Sequence, residues 1–188
     1  VVERTCLPKT AWPPTYFTLV ARAMLRLANT VFLYGCSGAN LDCIAREIFW
    51  KEGLNFNHGT GHGVGYLLNI HEGPINFRWK EGERPAPALE ENMVITDEPG
   101  IYVEGSHGIR LENELLVRKT VKNEYGQFIN FEILTYVPID LDAILPEKMS
   151  TEEKEMLNHY HKQVYEKVSP YLSEEERIWL KEYTRAVK

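Results

Sequence analysis

The sequence His-Gly-Thr-Gly-His-Gly-Val-Gly at residues 58–65 decides what the rest of the chain has to build. Its four glycines argue against a helix, because each glycine in a helix interior costs about 1 kcal/mol relative to alanine. With the two-residue repeat of a strand, one face carries His58, Thr60, His62 and Val64 and the other carries the glycines. Both imidazoles then lie on the same face, and the glycine face allows another backbone or a ligand to approach closely. The pattern predicts a polar site; histidines that are merely satisfied inside a glycine-rich turn are the alternative.

The composition limits the classes of function that need to be considered. The chain has 188 residues, of which 44% are apolar, which suits one domain with a real core. Its net charge of −6 argues against a nucleic acid or an anionic membrane as a partner. No apolar run is long enough to span a bilayer, and residues 1–14 lack the pattern of a signal peptide. The three cysteines, Cys6, Cys36 and Cys43, are odd in number and form no paired motif, so a cytoplasmic location is expected.

Hydrophobic periodicity predicts an α+β fold in which helices back an antiparallel sheet. The apolar stripe of residues 15–34 predicts a helix, and a second helix begins at Ser37 or Asn40. Residues 80–90 are polar and predict a solvated loop. Strands are predicted over residues 93–96, 101–103, 108–117 and 128–137. Two charged C-terminal helices are predicted over residues 150–168 and 173–187, and their Ser and Glu residues fit the capping box.

Two acidic residues are candidates to join the histidines. Glu98 lies at a strand end beside a proline–glycine turn, and Glu112 lies in the alternating segment 108–117, next to Arg110 on the same polar face. If that face lines a cavity, Arg110 can orient Glu112 as a second-shell partner. One imidazole and two carboxylates suit Mn²⁺, Co²⁺ or Zn²⁺. The alternative from spacing alone is that both glutamates are ordinary surface acids.

Four motifs together resemble the catalytic domain of the Xaa-Pro aminopeptidases (aminopeptidase P). These belong to the pita-bread metallopeptidases, alongside prolidase, creatinase and methionine aminopeptidase. The resemblance extends from about residue 16 to the C-terminus, and the long C-terminal extension resembles the aminopeptidase P branch. The motifs are residues 58–65, Asn-Ile-His-Glu-Gly-Pro at 69–74, Thr-Asp-Glu-Pro-Gly at 96–100 and Gly-Ile-Arg-Leu-Glu-Asn at 108–113.

The resemblance implies a role for each matching residue. His62 is expected to bind the first metal, Glu98 to bind it and carry the proton of the attacking water, and Glu112 to bridge two metals. His58 and His71 are expected to hydrogen-bond the substrate and stabilise the oxyanion at the scissile carbonyl. The implied reaction is release of an N-terminal residue from a peptide with proline in second position, with two Mn²⁺ ions in a complete enzyme.

The sequence departs from the family pattern at its N-terminal side. The family uses two further aspartate ligands ahead of the first helix, but the first aspartate here is Asp42, which reads as a solvated helix residue. We therefore expect an incomplete pita-bread domain over residues 15–140, a helical extension of the same domain over 141–188, and an irregular or artificially added segment over 1–14. Such a chain should bind one metal at most, with little activity alone. An exposed sheet edge makes a homodimer a further expectation.

Two other functions remain compatible with the same residues. A pita-bread protein without catalysis could serve as a binding module for peptides or other partners, which the incomplete ligand set favours. The retention of His62, Glu98 and Glu112 favours an enzyme instead. A prolidase-like dipeptidase of the same fold would differ in the pocket for the substrate's N-terminus, which the sequence does not distinguish.

Overall fold

The computed structural model describes residues 14–67, 69–80 and 86–188. Residues 1–13 of the segment predicted to be irregular, and residues 81–85 of the predicted polar loop, lie outside the described residues. The helices of the described part are α1 (Pro14–Ala28), α2 (Gly38–Trp50), α3 (Thr151–Val168) and α4 (Glu174–Tyr183). Short 3-10 helices cover Leu141–Ala143, Pro146–Lys148 and Ser169–Tyr171. None of the described helices has the length and apolar content to cross a membrane.

The first helix ends earlier than the periodicity predicts. The side chains of Asn29 and Thr30 donate hydrogen bonds of 2.8 Å each to carbonyl oxygens of the last helical turn. The chain then forms β1 (Phe32–Leu33), which pairs with the sheet. The predicted helix over 15–34 is therefore wrong beyond residue 28, because Phe32 and Leu33 belong to a strand and Val31, the last residue of the stripe, is largely exposed.

In the described part of the chain, six strands form one antiparallel sheet and two more form a separate hairpin. The sheet order is β1-β8-β7-β4-β2-β3, and β5 pairs with β6. Helix α1 packs against strands of both sheets, and α2 packs against α1 and β3. The strands that follow β1 are β2 (Gly61–Gly63), β3 (Glu72–Phe77), β4 (Val94–Asp97), β5 (Gly100–Val103), β6 (His107–Arg110), β7 (Asn113–Asn123) and β8 (Gly126–Ile133).

The single strand predicted over residues 108–117 is two strands in two sheets. Strand β6 ends at Arg110 and β7 begins at Asn113, so Glu112 lies in the interruption between them. The register is the same on both sides, since Asp97 is opposite Asn113 and Gly100 is opposite Arg110. Both segments of the chain are interrupted at the same level, so the pairing divides into two sheets at this point. The alternation of side chains along one segment does not reveal this division.

The C-terminal helices are joined to the rest of the fold by buried polar contacts. Glu153 of α3 is buried and accepts a 2.9 Å hydrogen bond from Nε of Arg22 in α1. The backbone N–H of Ile139 donates to Nε2 of the buried His161 at 3.0 Å. Both predicted capping boxes are present, at Ser150 in front of α3 and at Ser173 in front of α4. Helix α3 is therefore held by specific hydrogen bonds as well as by apolar packing.

Replacing Glu153 with glutamine should destabilise the protein in a pH-dependent way. Burial alone would raise the pKa of the Glu153 carboxyl, but the Ser150 N–H and the Arg22 guanidinium outweigh it, so the pKa lies below its ordinary value. We expect E153Q to lose about 2 kcal/mol of unfolding free energy at pH 7, because a hydrogen bond to a charged group is lost. The ionised carboxylate contributes fully above an unfolded pKa of about 4.3, and its contribution is lost as the pH falls through the folded pKa.

Urea unfolding followed by circular dichroism at several pH values measures this difference. Glu176 occupies the same capping-box position in α4 but is exposed, so E176Q is the matched control and should change stability little. A difference between E153Q and the original protein that stays constant at pH values well below 4 would contradict the assignment.

Candidate active site

Two glycines in strand β2 allow neighbouring backbones to approach closely. A Cβ atom built on Gly61 would overlap the carbonyl oxygen of Thr96 in β4, and one built on Gly63 would overlap the carbonyl oxygen of Glu72 in β3. His62 lies between these glycines, so its side chain points away from both contacts. The strand thus presents one imidazole to a cavity of about 360 Å³ that Glu98 and Arg110 also line.

Thr96 joins His62 to Glu98 through its side-chain hydroxyl. The hydroxyl accepts a 3.0 Å hydrogen bond from the backbone N–H of His62 and donates one of 2.9 Å to Oε1 of Glu98. The Glu98 backbone is fixed as well, since its N–H donates to the carbonyl oxygen of Thr60 at 2.7 Å. Thr96 is fully buried, so these bonds form where water does not compete.

The local hydrogen bond of His62 determines which ring nitrogen faces the cavity. Nδ1 lies 2.9 Å from the carbonyl oxygen of Gly63, which only accepts, so Nδ1 carries the proton. Nε2 is then the ring nitrogen that faces the cavity, and it lies 3.1 Å from Oε1 of Glu98. Two ligands at right angles, each about 2.2 Å from one metal ion, are about 3.1 Å apart. The two atoms thus have the separation of neighbouring ligands of one cation.

Arg110 pairs with Glu98 in this structure. Its Nη1 lies 3.4 Å from Oε2 of Glu98, and its guanidinium lies 5.7 Å from the centre of the Tyr102 ring. The sequence predicted that Arg110 would orient Glu112. The observed ion pair leaves that prediction untested and adds Glu98 as a carboxylate that Arg110 holds.

His71 and His58 lie on different sides of His62. The rings of His71 and His62 are 4.3 Å apart, and His71 is exposed at the mouth of the cavity. The Nδ1 atom of His58 donates to the carbonyl oxygen of Gly59 at 2.7 Å, and its Nε2 is buried with no hydrogen-bond partner in the described part of the chain. Burial is the main cause that lowers the pKa of His58 below its ordinary value, so the ring stays neutral.

Glu112 is buried between β6 and β7. The register on either side puts it opposite Glu98 on the neighbouring chain segment. Within residues 14–67, 69–80 and 86–188, no group of three or more His, Cys, Asp or Glu side chains is arranged to hold a metal ion. His62 and Glu98 are the predicted ligands in contact.

Comparison with known proteins identifies the family. The profile of metallopeptidase family M24 matches residues 4–119, and that of the C-terminal region of peptidase M24 matches residues 127–187. The chain belongs to metallopeptidase family M24. The first match begins inside the segment 1–14 that sequence analysis set apart, and the second covers the C-terminal helices.

Several M24 proteins resemble the chain in sequence and structure. It is 40% identical over 176 residues to a probable Xaa-Pro aminopeptidase P of Paracoccidioides brasiliensis, covering 91% of this chain and 28% of that protein. An X-prolyl aminopeptidase of Caenorhabditis elegans, described as a cytosolic enzyme with a di-nuclear active site, matches with a TM-score of 0.89 and 36% identity over 99% of this chain and 31% of that one. A prolidase of Pyrococcus furiosus matches with a TM-score of 0.55 and 32% identity over 72% of this chain and 36% of that one.

These matches confirm the predicted family and the pita-bread fold of an M24 enzyme. The chain spans just over a quarter of the length of the curated relatives it matches, at 28% for the Paracoccidioides protein. The activity of a whole M24 protein is therefore a proposal for this chain.

Sequence analysis missed a buried ion pair between Asp42 and Arg46, which holds the segment that carries His58. Asp42 is fully buried, so its reading as a solvated helix residue is wrong. Its Oδ2 accepts from Nε of Arg46 and, at 2.8 Å, from the backbone N–H of Trp79. Arg46 in turn donates to the carbonyl oxygens of Phe56 at 2.7 Å and His58 at 2.6 Å. The four-residue spacing on one helix was the available signal, but nothing in the sequence showed that this helix face is covered.

The Thr96 hydroxyl should matter for both stability and metal binding. In T96V the His62 N–H loses its acceptor and Glu98 loses its donor, so we expect unfolding free energy to fall by about 1–3 kcal/mol and Mn²⁺ affinity to fall about tenfold. The buried Thr135 accepts a 2.9 Å bond from the Glu114 N–H elsewhere in the sheet, which makes T135V the matched control.

Urea unfolding and Mn²⁺ titration followed by electron paramagnetic resonance separate the two effects. T135V should lose comparable stability and keep its metal affinity. Equal metal affinities in the two variants would contradict a positioning role for Thr96.

Arg46 should stabilise the segment that carries His58. R46K keeps a positive charge near Asp42 but cannot reach both carbonyl oxygens, so we expect a loss of about 1–3 kcal/mol, because a buried carbonyl oxygen loses its donor. Amide hydrogen exchange over residues 54–60 should accelerate.

Arg118 forms an exposed pair with Glu132 at 2.7 Å, and R118K should cost under about 1 kcal/mol. Unchanged exchange in R46K would show that the segment does not depend on Arg46.

Proposed function

We propose that the chain forms part of the catalytic domain of an Xaa-Pro aminopeptidase. The reaction is hydrolysis of the bond between the N-terminal residue of a peptide and a proline in second position. The observation that carries the proposal is the contact between Nε2 of His62 and Oε1 of Glu98, with the His62 tautomer fixed by Gly63. The likeness to the Caenorhabditis elegans enzyme along 99% of the chain supports it.

The proposed metal site uses His62 and Glu98 as ligands, with Glu112 as a third. The donor chemistry fits a divalent cation, because an imidazole nitrogen and a carboxylate oxygen lie 3.1 Å apart. Mn²⁺ is the proposed ion, with Zn²⁺ and Co²⁺ as the alternatives. A bound divalent ion would lower the pKa of a water molecule and polarise the scissile carbonyl.

The side chains around the metal ligands have separate proposed roles. Glu98 receives the proton of the attacking water, and its Thr96 and Arg110 contacts keep the carboxylate oriented for that transfer. His71 stands at the cavity mouth, where it can donate to the oxyanion. His58 was expected to share that task, but its neutral tautomer offers a lone pair at Nε2. We therefore assign His58 to accept a hydrogen bond from a substrate N–H.

The aminopeptidase is favoured over a prolidase by the sequence match to a probable Xaa-Pro aminopeptidase P, which is 40% identical over 91% of this chain. A cytoplasmic location and a homodimeric assembly are parts of the same proposal; the worm protein is described as cytosolic.

The metal assignment is tested by Mn²⁺ titration followed by electron paramagnetic resonance. H62A and E98Q should each weaken Mn²⁺ binding about tenfold or more, because each removes a direct ligand. His159 lies exposed on α3, so H159A is the control and should bind as the original chain does. An Mn²⁺ affinity of H62A equal to that of the original chain would show that His62 is not a metal ligand. Saturable binding of an Xaa-Pro peptide without any metal binding would instead support a non-catalytic binding module.

A further inference from the structure

A second cavity lies beside the proposed catalytic one. It has a volume of about 230 Å³, and it shares His58, Gly59 and Arg78 with the first cavity. A Cβ on Gly59 would lie 3.0 Å from both Cγ and Nε of Arg78, so the glycine lets the arginine lie along the shared wall. The two cavities are therefore neighbouring compartments separated by these residues.

The second cavity is positively charged although the chain as a whole is acidic. Its described lining includes Arg46, Arg78 and Lys80 and no Asp or Glu, in a chain with a net charge of −6. Arg46 is neutralised by Asp42 at its back. Arg78 is exposed, and no carboxylate of the described residues pairs with it. Lys80 lies 4.7 Å over the Trp79 ring. Arg78 and Lys80 thus present two cations to the same small space.

The charge of this space determines which end of a peptide it accepts. A protonated N-terminal amine is repelled by two cations, whereas a carboxylate is attracted and forms paired hydrogen bonds with a guanidinium. We propose that Arg78, assisted by Lys80, binds a carboxylate of the peptide on the C-terminal side of the scissile bond. This rests on the proposed peptidase function, because that function puts the scissile bond in the first cavity.

The carboxylate has two sources, the free C-terminus of a short peptide and an acidic side chain in a longer one. A C-terminal carboxylate would make Arg78 a determinant of peptide length, since only a short peptide brings its end into the cavity. The product-side dipeptides Pro-Ala, prolyl-alaninamide and prolyl-glutamyl amide separate the sources. They need no metal ion for binding, so the result is independent of whether His62 and Glu98 bind Mn²⁺.

The experiment is a chemical-shift titration of the full chain in the presence of a chelator. The Nε–Hε signal of Arg78 and the indole N–H signal of Trp79 report on the cavity. We expect Pro-Ala to bind about tenfold more tightly than prolyl-alaninamide, a difference that R78Q should abolish and R78K should retain in part. Arg118 lies elsewhere on the sheet, so R118Q should leave the preference unchanged.

Each outcome of the titration bears on the proposal. Tight binding of prolyl-glutamyl amide, lost in R78Q, assigns the site to acidic side chains and supports the shared carboxylate chemistry. If Pro-Ala gives no saturable shift up to about 10 mM, it does not form even a millimolar complex, and the proposal is overturned. A preference for Pro-Ala over its amide that survives in R78Q overturns it as well. Mn²⁺ binding that H62A and E98Q leave unchanged, together with an Arg78-dependent preference, would reject the metal assignment and leave the carboxylate site standing.

Discussion

The candidate site depends on a close crossing of two backbones that only glycine permits. At Gly61 the space that a Cβ atom would need is occupied by the carbonyl oxygen of Thr96. This contact brings β2 close enough to β4 for the Thr96 hydroxyl to reach both the His62 N–H and the Glu98 carboxylate. A larger residue at position 61 would separate the strands and, with them, the imidazole from the carboxylate. The glycines of the repeat therefore determine where the side chains on the opposite face of the strand lie.

The same local device fixes both histidines of the repeat. In each case the imidazole donates its Nδ1 proton to the carbonyl oxygen of the following glycine, Gly59 or Gly63. The consequence is that Nε2 of each ring is turned away from its own backbone. A site in which imidazole nitrogens lie beside carboxylates suits a cation, and the ring orientations need no further side chain to select them.

The sequence predicted the parts of this arrangement that depend on local chemistry and missed those that depend on packing. The motifs around His62 and Glu98 led to the correct family, and the Ser-x-x-Glu patterns located the starts of α3 and α4. The end of α1 and the break at Glu112 were missed, because an apolar or alternating pattern does not say which sheet a residue joins. Asp42 was missed because burial of a helix face is set by distant segments of the chain.

The charges of the two cavities follow from where each cation is neutralised. Arg110 faces Glu98, and Arg46 faces Asp42 inside the fold, so both of these arginines serve internal carboxylates. Arg78 lies on the wall that both cavities share, and of the described lining residues only those of the first cavity include carboxylates, Glu72 and Glu98. A peptide is itself polarised, with an amine at one end and a carboxylate at the other. Two adjoining cavities of which only one is lined by carboxylates would bind it in a single direction, and that direction leads its N-terminal residue toward His62 and Glu98.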